Sequence, residues 1–288
     1  MPMALRGALR PNRRLPSFTD HRKPPRKNPF TRLTIMKTTL IALALAAAAA
    51  VAPAAARPVV DADLTFTSKH VFRGLKLSDA AAQPSITAYF ETIYLGLWAS
   101  VPIRDSDELS ELDAFVGWRQ PLSENFSIDI GATMYRYWNT SPADVSNALG
   151  GTRHSQEIHV GGNLRLHDDG TNTVGTRGTV FYDVRRRAVT AEASLGYARS
   201  FAETGLPLSL SLSAYAGYVD ARDLFPDSGA TVRKGYHYTG FSADLPYEIG
   251  DDAMWKLGVA YGDVGSYFPG TSHLQSNFWV RGSFHFRF

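Results

Sequence analysis

The chain has 288 residues, of which 30 are basic, 27 are acidic and none is cysteine. The lack of cysteine excludes disulfides, thiolate metal sites and a lipid-anchored cysteine. Residues 1–56 hold ten of the basic residues and one acid, so residues 57–288 carry 20 basic and 26 acidic side chains, a formal net charge of −6. The basic character of the whole chain therefore belongs to its first segment and does not indicate nucleic-acid binding.

The segment that begins at Met36 has the order of a secretory signal peptide. Lys37 is followed by an apolar run over 40–51 and then by three alanines that end at Ala56, an A-x-A-type cleavage site. The run is mostly alanine and shorter than the about 20 apolar residues that a membrane helix needs, so a cleaved signal is favoured over an anchor. We predict a disordered extension or a start codon assigned too early over 1–35, a signal peptide over 36–56 and one domain over 57–288.

Residues 57–288 alternate apolar and polar side chains in short segments that are separated by turn residues, which is the pattern of β-strands. In the segment 208–216, for example, Leu208, Leu210 and Leu212 share one face. The predicted strands are 59–72, 84–91, 93–102, 110–119, 126–137, 155–166, 177–186, 188–200, 207–219, 235–246, 254–262 and 277–288. No amphipathic helix is indicated.

The links between these predicted strands alternate between short and long, with one exception at 185–187. This alternation is typical of outer-membrane barrels, whose short turns lie in the periplasm. Strands can cross a membrane only in a closed barrel, because an unpaired backbone N–H or C=O group finds no hydrogen-bond partner in hydrocarbon. We therefore predict an all-β, transmembrane, antiparallel up-and-down β-barrel of about 12 strands, with 10 or 14 as alternatives, in the bacterial outer membrane. A soluble β-sandwich or lipocalin-like barrel is the competing fold.

The last predicted strand ends on alternating aromatic residues, Phe284, Phe286 and Phe288. It resembles the terminal strand that bacterial outer-membrane barrels present to the barrel assembly machinery. This resemblance implies that Phe286 and Phe288 form an assembly signal.

Short motifs that follow one another along residues 57–288 resemble the TorF-type porin family, also known as the Gcw_chp family. They are VFRG at 71–74 with SD at 78–79, GLWAS at 96–100, ELD at 111–113, DIG at 129–131 with YRY at 135–137, FYD at 181–183 and LPLSLS at 206–211. His70 departs from the pattern, which has an aromatic Tyr there. The resemblance implies an exported outer-membrane barrel of the porin type and implies no substrate.

Strand parity places the charged face of these segments in the lumen. The predicted pore-lining residues are Arg73, Glu111, Asp113, Arg119, Asp129, Glu157, Arg165, Asp183, Glu192, Lys256, Arg281 and Arg287. Both signs are present, which favours a channel for passive diffusion of small solutes or ions without a cofactor. The alternative is a structural or scaffolding barrel whose lumen is plugged by ion pairs among the same side chains. The link 140–153 is the predicted constriction.

Catalytic and metal sites are not predicted. His154 beside Ser155, or His70 near Ser68, offers the residue types of a lipid-active enzyme, but neither spacing matches a known signature. Glu157 and its neighbouring histidines likewise lack a metal-ligand pattern. The expected partners are outer-membrane lipids and lipopolysaccharide, which the basic run 185–187 could contact, the barrel assembly machinery, and small solutes or ions, with no nucleic acid.

Overall fold

The computed structural model describes residues 58–104, 108–138, 153–222, 234–265 and 276–288. The predicted extension and signal peptide lie outside these ranges and remain predictions. The strands are β1 Val59–Thr67, β2 His70–Phe72, β3 Leu75–Ser78, β4 Ala81–Phe90, β5 Ile93–Pro102, β6 Ser110–Pro121, β7 Phe126–Trp138, β8 His154–Asp168, β9 Asn172–Asp183, β10 Ala188–Ser200, β11 Ser209–Ala221, β12 Lys234–Glu248, β13 Ala253–Val264 and β14 Asn277–Arg287. A single turn of 3-10 helix, Ala202–Thr204, lies between β10 and β11.

None of the helices in the described part of the chain is long and apolar enough to cross a membrane.

Twelve of the strands form a closed antiparallel barrel, in which each strand pairs with its neighbours in chain order. The ring closes where β1 pairs with both β4 and β14, so that Leu64 lies opposite Pro84 on one side and Phe284 on the other. Closure removes the unpaired strand edges that an open sheet would leave. The predicted all-β, 12-stranded, up-and-down barrel is confirmed.

The links differ in length between the two ends of the barrel. One end, here called the short-turn end, holds the links 91–92, 122–125, 169–171, 201–208 and 249–252 together with the start of β1 and the end of β14. The other, the long-loop end, holds the links 68–80, 103–109, 139–153, 184–187, 222–233 and 265–276. This agrees with the predicted alternation, including the short exception between β9 and β10, except that the link 201–208 is longer than the link 103–109.

The side chains are distributed inside out relative to a soluble protein. Apolar side chains such as Ile86 and Val160 point outward and are 49% and 53% exposed, whereas Ser100, Asp129 and Ser155 point inward and are fully buried. A soluble barrel would bury the apolar face and expose the polar one. The structure therefore excludes the soluble sandwich or lipocalin-like alternative for these residues.

The first predicted strand, 59–72, is wrong in its second half. β1 ends at Thr67, where the hydroxyl donates to the Lys69 carbonyl (2.7 Å), and the Ser68 hydroxyl accepts the Val280 N–H (3.0 Å). The chain then turns into the barrel and forms the β2–β3 pair, which we call the inner hairpin, residues 68–80. The predicted link between the strands 59–72 and 84–91 therefore contains β3 and the start of β4.

Candidate functional site

The inner hairpin crosses the lumen and packs on the opposite wall. Leu75 is buried against Tyr236, Tyr238 and Val264 of β12 and β13. Leu77 contacts the same cluster and a second one that contains Tyr135 and Tyr137 of β7. The apolar side of the hairpin thus packs against β7, β12 and β13 in the long-loop half of the barrel, which the alternating pattern of β3 makes possible.

The tip of the hairpin is held by an ion pair with β8. The guanidinium of Arg73 donates two hydrogen bonds to the Glu157 carboxylate, both 2.9 Å long, and stacks over the rings of Phe72 (4.7 Å) and Phe181 (4.6 Å). The Tyr135 hydroxyl donates a further hydrogen bond to Glu157 (3.1 Å). This paired, two-bond geometry is the strong form of an arginine–carboxylate contact.

The turn at the tip requires glycine. Gly74 has φ +80°, and a Cβ there would lie 2.6 Å from Val264 Cγ2 and 2.9 Å from the Asp263 carbonyl oxygen. The Asn277 side chain donates to the Gly74 carbonyl (3.2 Å), which ties the tip to β14. The hairpin therefore contacts the wall through backbone as well as side chains.

A second buried carboxylate organises the middle of the lumen. Asp129 accepts hydrogen bonds from the Tyr94 hydroxyl (2.8 Å) and from Arg119 Nε and Nη2 (2.9 and 2.6 Å), and its Oδ1 lies 3.1 Å from His159 Nε2. Arg177 Nη2 lies 4.0 Å away. Asp129 is fully buried, while Arg119 is about half exposed to the lumen.

Below this carboxylate the lumen widens into a vestibule that opens at the short-turn end. Its volume is about 660 Å³. Arg119, Arg165 and Arg177 line it, together with Glu91 and Glu124 from the turns. The vestibule therefore carries both signs of charge and reaches to about the level of Asp129.

A smaller cavity of about 300 Å³ lies between β2 and the wall formed by β1, β4, β5, β6 and β14. We call it the hairpin cavity. Glu111 and Asp113 of β6 line it, facing His70 of the hairpin and the rings of Trp98 and Trp279. The His70 and Trp98 rings are 5.3 Å apart.

The remaining predicted lumen residues point inward and are mostly paired. Arg281 donates two hydrogen bonds to Asp244 (3.0 and 2.6 Å), and Tyr238 donates to Glu192 (2.7 Å). Asp183 accepts the Ser155 hydroxyl (2.7 Å). At the short-turn end, Arg287 bonds to Asp61 (2.8 and 3.1 Å), Arg165 lies 3.3 Å from Asp168, and Lys256 is opposite the buried Ser283.

Of the predicted pore-lining set, Arg73 alone lies on the inner hairpin, whereas the others lie on barrel strands. Whether these residues line a conducting pore remains a prediction. The predicted constriction at 140–153 lies outside the described residues, except for Arg153. Sequence reasoning missed Arg177 and the hairpin leucines. Arg177 shares its strand face with Thr179 and Asp183, and that period-two spacing could have identified it.

The histidine–serine pairs do not form catalytic contacts. The Ser155 hydroxyl is directed to Asp183, and His154 Nε2 lies 2.9 Å from Arg185 Nη1. The Ser68 hydroxyl accepts the Val280 N–H. Within the described ranges, no group of three or more histidine, cysteine, aspartate or glutamate side chains is placed to hold a metal ion.

Several solved structures have a similar arrangement of strands. The KdgM porin is 12% identical, with 80% of this chain and 99% of that chain covered and a TM-score of 0.46. The NanC porin is 9% identical, with 80% and 100% covered and a TM-score of 0.46. LpxR from Salmonella typhimurium is 10% identical, with 79% and 100% covered and a TM-score of 0.48. Likenesses this weak say nothing about what this chain does.

No curated protein matches the chain. A family model does match, over residues 51–265, and its description is "Bacterial protein of unknown function (Gcw_chp)". This confirms the resemblance to the Gcw_chp family that the ordered motifs indicate. The chain therefore belongs to the Gcw_chp family of bacterial proteins.

Proposed function

We propose that the protein is a narrow outer-membrane channel for the passive diffusion of small solutes or ions, and not an enzyme. The observation that carries this proposal is the closed barrel itself, whose exposed outer face is apolar and whose charged interior encloses two cavities. The channel needs no cofactor, because diffusion through a lumen requires only shape and charge.

The outer face supports a membrane location. Large apolar side chains on different strands, such as Leu97, Val160 and Leu257, are about half exposed. Burial of one such side chain is worth roughly 1.5–3 kcal/mol, so a full ring of them would be unfavourable in water. Trp118 and Tyr247 near the short-turn end and Trp138 at the long-loop end point outward, as do the aromatic girdles of membrane barrels.

The interior supports a narrow route rather than a wide pore. The vestibule leads from the short-turn end to the level of Asp129, and the hairpin cavity lies beside the inner hairpin nearer the long-loop end. The hairpin occupies much of the cross-section between them, since it contacts β7, β8, β12, β13 and β14. Only small solutes would pass such a constriction.

The same hairpin favours a second candidate function, a plugged structural or scaffolding barrel. Its tip is fixed by the Arg73–Glu157 pair and its apolar side chains are buried, so the fold can be stable with a closed lumen. Under this alternative the charged interior maintains the shape of the barrel without conducting.

Conductance in a planar lipid bilayer separates the two candidates. We expect discrete, ion-selective steps from the wild-type protein and larger steps from a variant in which residues 69–79 are replaced by a short glycine–serine link. A silent wild type with a conducting variant would identify a plugged barrel. If both are silent although their gel mobility shifts on heating, as for folded membrane barrels, the channel proposal is wrong.

The proposed location and partners follow from the same features. We expect the cleaved protein to begin at Arg57 and to fractionate with the outer membrane, where lipids cover its outer face. The terminal strand, with Phe286 and Phe288, would be recognised by the barrel assembly machinery. The run 185–187 at the long-loop end would lie near lipopolysaccharide phosphates. N-terminal sequencing of the fractionated protein tests the first of these expectations.

A further inference from the structure

Two buried carboxyl groups in the hairpin cavity, Glu111 and Asp113, hydrogen-bond to each other, and Glu111 also to Tyr137, but one oxygen of each is left without a partner. Glu111 is 2% exposed, and its Oε2 accepts no hydrogen bond. Asp113 Oδ1 is likewise buried without a hydrogen-bond partner. On the hairpin side, His70 is 5% exposed, its Nδ1 is also unpartnered, and its Nε2 lies 3.6 Å from Glu111 Oε2, too far for a hydrogen bond. Buried polar atoms without partners are uncommon, so these require an explanation.

The charged groups of the cavity lining are Lys69, Arg281, Glu111 and Asp113. Arg281 is neutralised by its two hydrogen bonds to Asp244. Lys69 is the other basic residue at the cavity, and it also interacts electrostatically with Asp79. Glu111 and Asp113 share a proton through their mutual hydrogen bond, so the lining has an excess of hydrogen-bond acceptors, with Glu111 Oε2 and Asp113 Oδ1 unpartnered.

The rest of the lining is aromatic. Trp98, Trp279 and Phe72 face the same space as the carboxyls. Aromatic faces attract weakly hydrated cations. Organic ammonium ions are weakly hydrated, whereas small metal ions are strongly hydrated. Within the described ranges, Glu111, Asp113 and His70 are not placed so that together they could hold a metal ion.

The geometry points to a binding site for a small organic ammonium ion in the hairpin cavity, with its N–H groups on Glu111 and Asp113 and its alkyl part against Trp98 and Trp279. The cavity, about 300 Å³, is large enough for such an ion with some water. The inference rests on the proposed function, because the site would define the class of solute that the proposed channel favours.

Tryptophan fluorescence tests this directly. Trp98 and Trp279 flank the cavity, whereas Trp118 and Trp138 point outward. The protein, produced from its full-length gene and purified in detergent, is titrated at constant ionic strength with tert-butylammonium, tert-butanol and pivalate, three probes of nearly the same shape that differ in charge. We expect a saturable change with tert-butylammonium alone.

Variants assign the response to the carboxyls. Glu111→Gln combined with Asp113→Asn should weaken binding at least tenfold, while Glu192→Gln, which changes an inward carboxyl that Tyr238 already satisfies, should leave it unchanged. A heat-shifted gel band verifies that each variant is folded. An equal response to tert-butanol, a response that survives the double substitution, or no response at all would overturn the inference. The last result is expected if the hydrogen bond between the two carboxyls keeps their shared proton in place of a cation.

The outcome is independent of conductance. Binding by a silent barrel would leave the cation site intact and refute the channel. Conductance without binding would keep the channel and refute the site.

Discussion

Arg73 and Glu157, which are 84 positions apart in the sequence, are joined across the lumen by two hydrogen bonds of 2.9 Å. The pair connects the tip of the inner hairpin to the β8 wall, and both side chains are largely buried. Removal of one partner from a buried pair leaves an uncompensated charge, which is far more costly than the pair's net contribution.

We therefore expect Arg73→Ala to destabilise the barrel by about 3–5 kcal/mol and to loosen the hairpin. The matched control is Arg165→Ala, since Arg165 contacts Asp168 at 3.3 Å with both side chains exposed. Exposed pairs contribute about 0–1 kcal/mol. Urea unfolding in detergent measures the free energy of both variants, and equal losses would show that the tip contact does not hold the hairpin.

Gly74 provides a separate test of how closely the hairpin approaches the wall. Gly74→Ala should lower the free energy of unfolding by about 1 kcal/mol because of the positive φ, and by about 1–3 kcal/mol more because of the contact with Val264. Gly170, in the β8–β9 turn, has φ +83°, but a Cβ added there would have no atom within 4 Å. Gly170→Ala should therefore show the conformational cost alone. If the two variants unfold at the same urea concentration, the tip does not touch β13 as described.

The turn that contains Asp169 predicts a dependence on pH. The Asn172 and Thr171 N–H groups donate to Asp169 Oδ1 (2.6 and 2.9 Å), and these bonds hold the pKa of that exposed carboxyl well below its ordinary value of 3.8. A lowered pKa in the folded state means that the stabilisation is present above the unfolded pKa and is lost as the pH falls through the folded one.

Asp169→Ala should accordingly unfold at lower urea than the wild type at pH 7, and the difference should shrink as the pH is lowered below about 4. Asp169→Asn, which retains an acceptor oxygen but no charge, is the control and should lie between the two at neutral pH. A difference that does not change with pH would mean that the ionised carboxylate plays no part in the turn.

The barrel could be predicted from the sequence because its determinants are local. Period-two alternation and turn residues need only neighbouring positions, and the facing pair Arg119 and Asp129 belongs to one β-hairpin, where register places them opposite each other. The inner hairpin could not be predicted in the same way. Its alternation looks like that of any strand, and its direction is set by Glu157 and by Asn277, which is 203 positions from Gly74.

The candidate site likewise has features that the local sequence pattern predicts and features that it does not. Parity identified the inward charges, including Glu111 and Asp113. The unpartnered atoms of Glu111, Asp113 and His70 lie where the inner hairpin meets the barrel wall, a contact that no local pattern encodes. Arg281 and Asp244 show the same limit, because they lie on β14 and β12, which are not neighbours in the sheet.

The outer face should tolerate charge according to depth in the membrane. Val160 lies near the middle of β8, points outward and is 53% exposed, so Val160→Arg should cost about 2–4 kcal/mol in a lipid bilayer. Leu122, at 58% exposed, lies in the short β6–β7 turn, and Leu122→Arg should cost about 0–1 kcal/mol. Unfolding from lipid vesicles measures both, and similar costs would contradict a membrane at the level of Val160.

Phe288 makes different contacts through its backbone and through its ring. Its N–H donates to the Val60 carbonyl (2.9 Å) and its carbonyl accepts the Val60 N–H (3.1 Å), so the backbone of the last residue continues the β1–β14 ladder. Its side chain, by contrast, is 77% exposed on the outer face. Phe288→Ala therefore keeps the backbone bonds and removes only this ring, which separates folding from assembly.

We expect the Phe288→Ala variant to refold in detergent as well as the wild type but to reach the outer membrane several-fold less in cells, as judged from the heat-shifted band in membrane fractions. Phe278→Ala, which removes an outward ring at the other end of β14, is the control and should assemble normally. Normal assembly of the Phe288 variant would show that the terminal ring is not the signal. Poor refolding in detergent would show instead that the role of the ring is structural, because the assembly machinery is absent from that experiment.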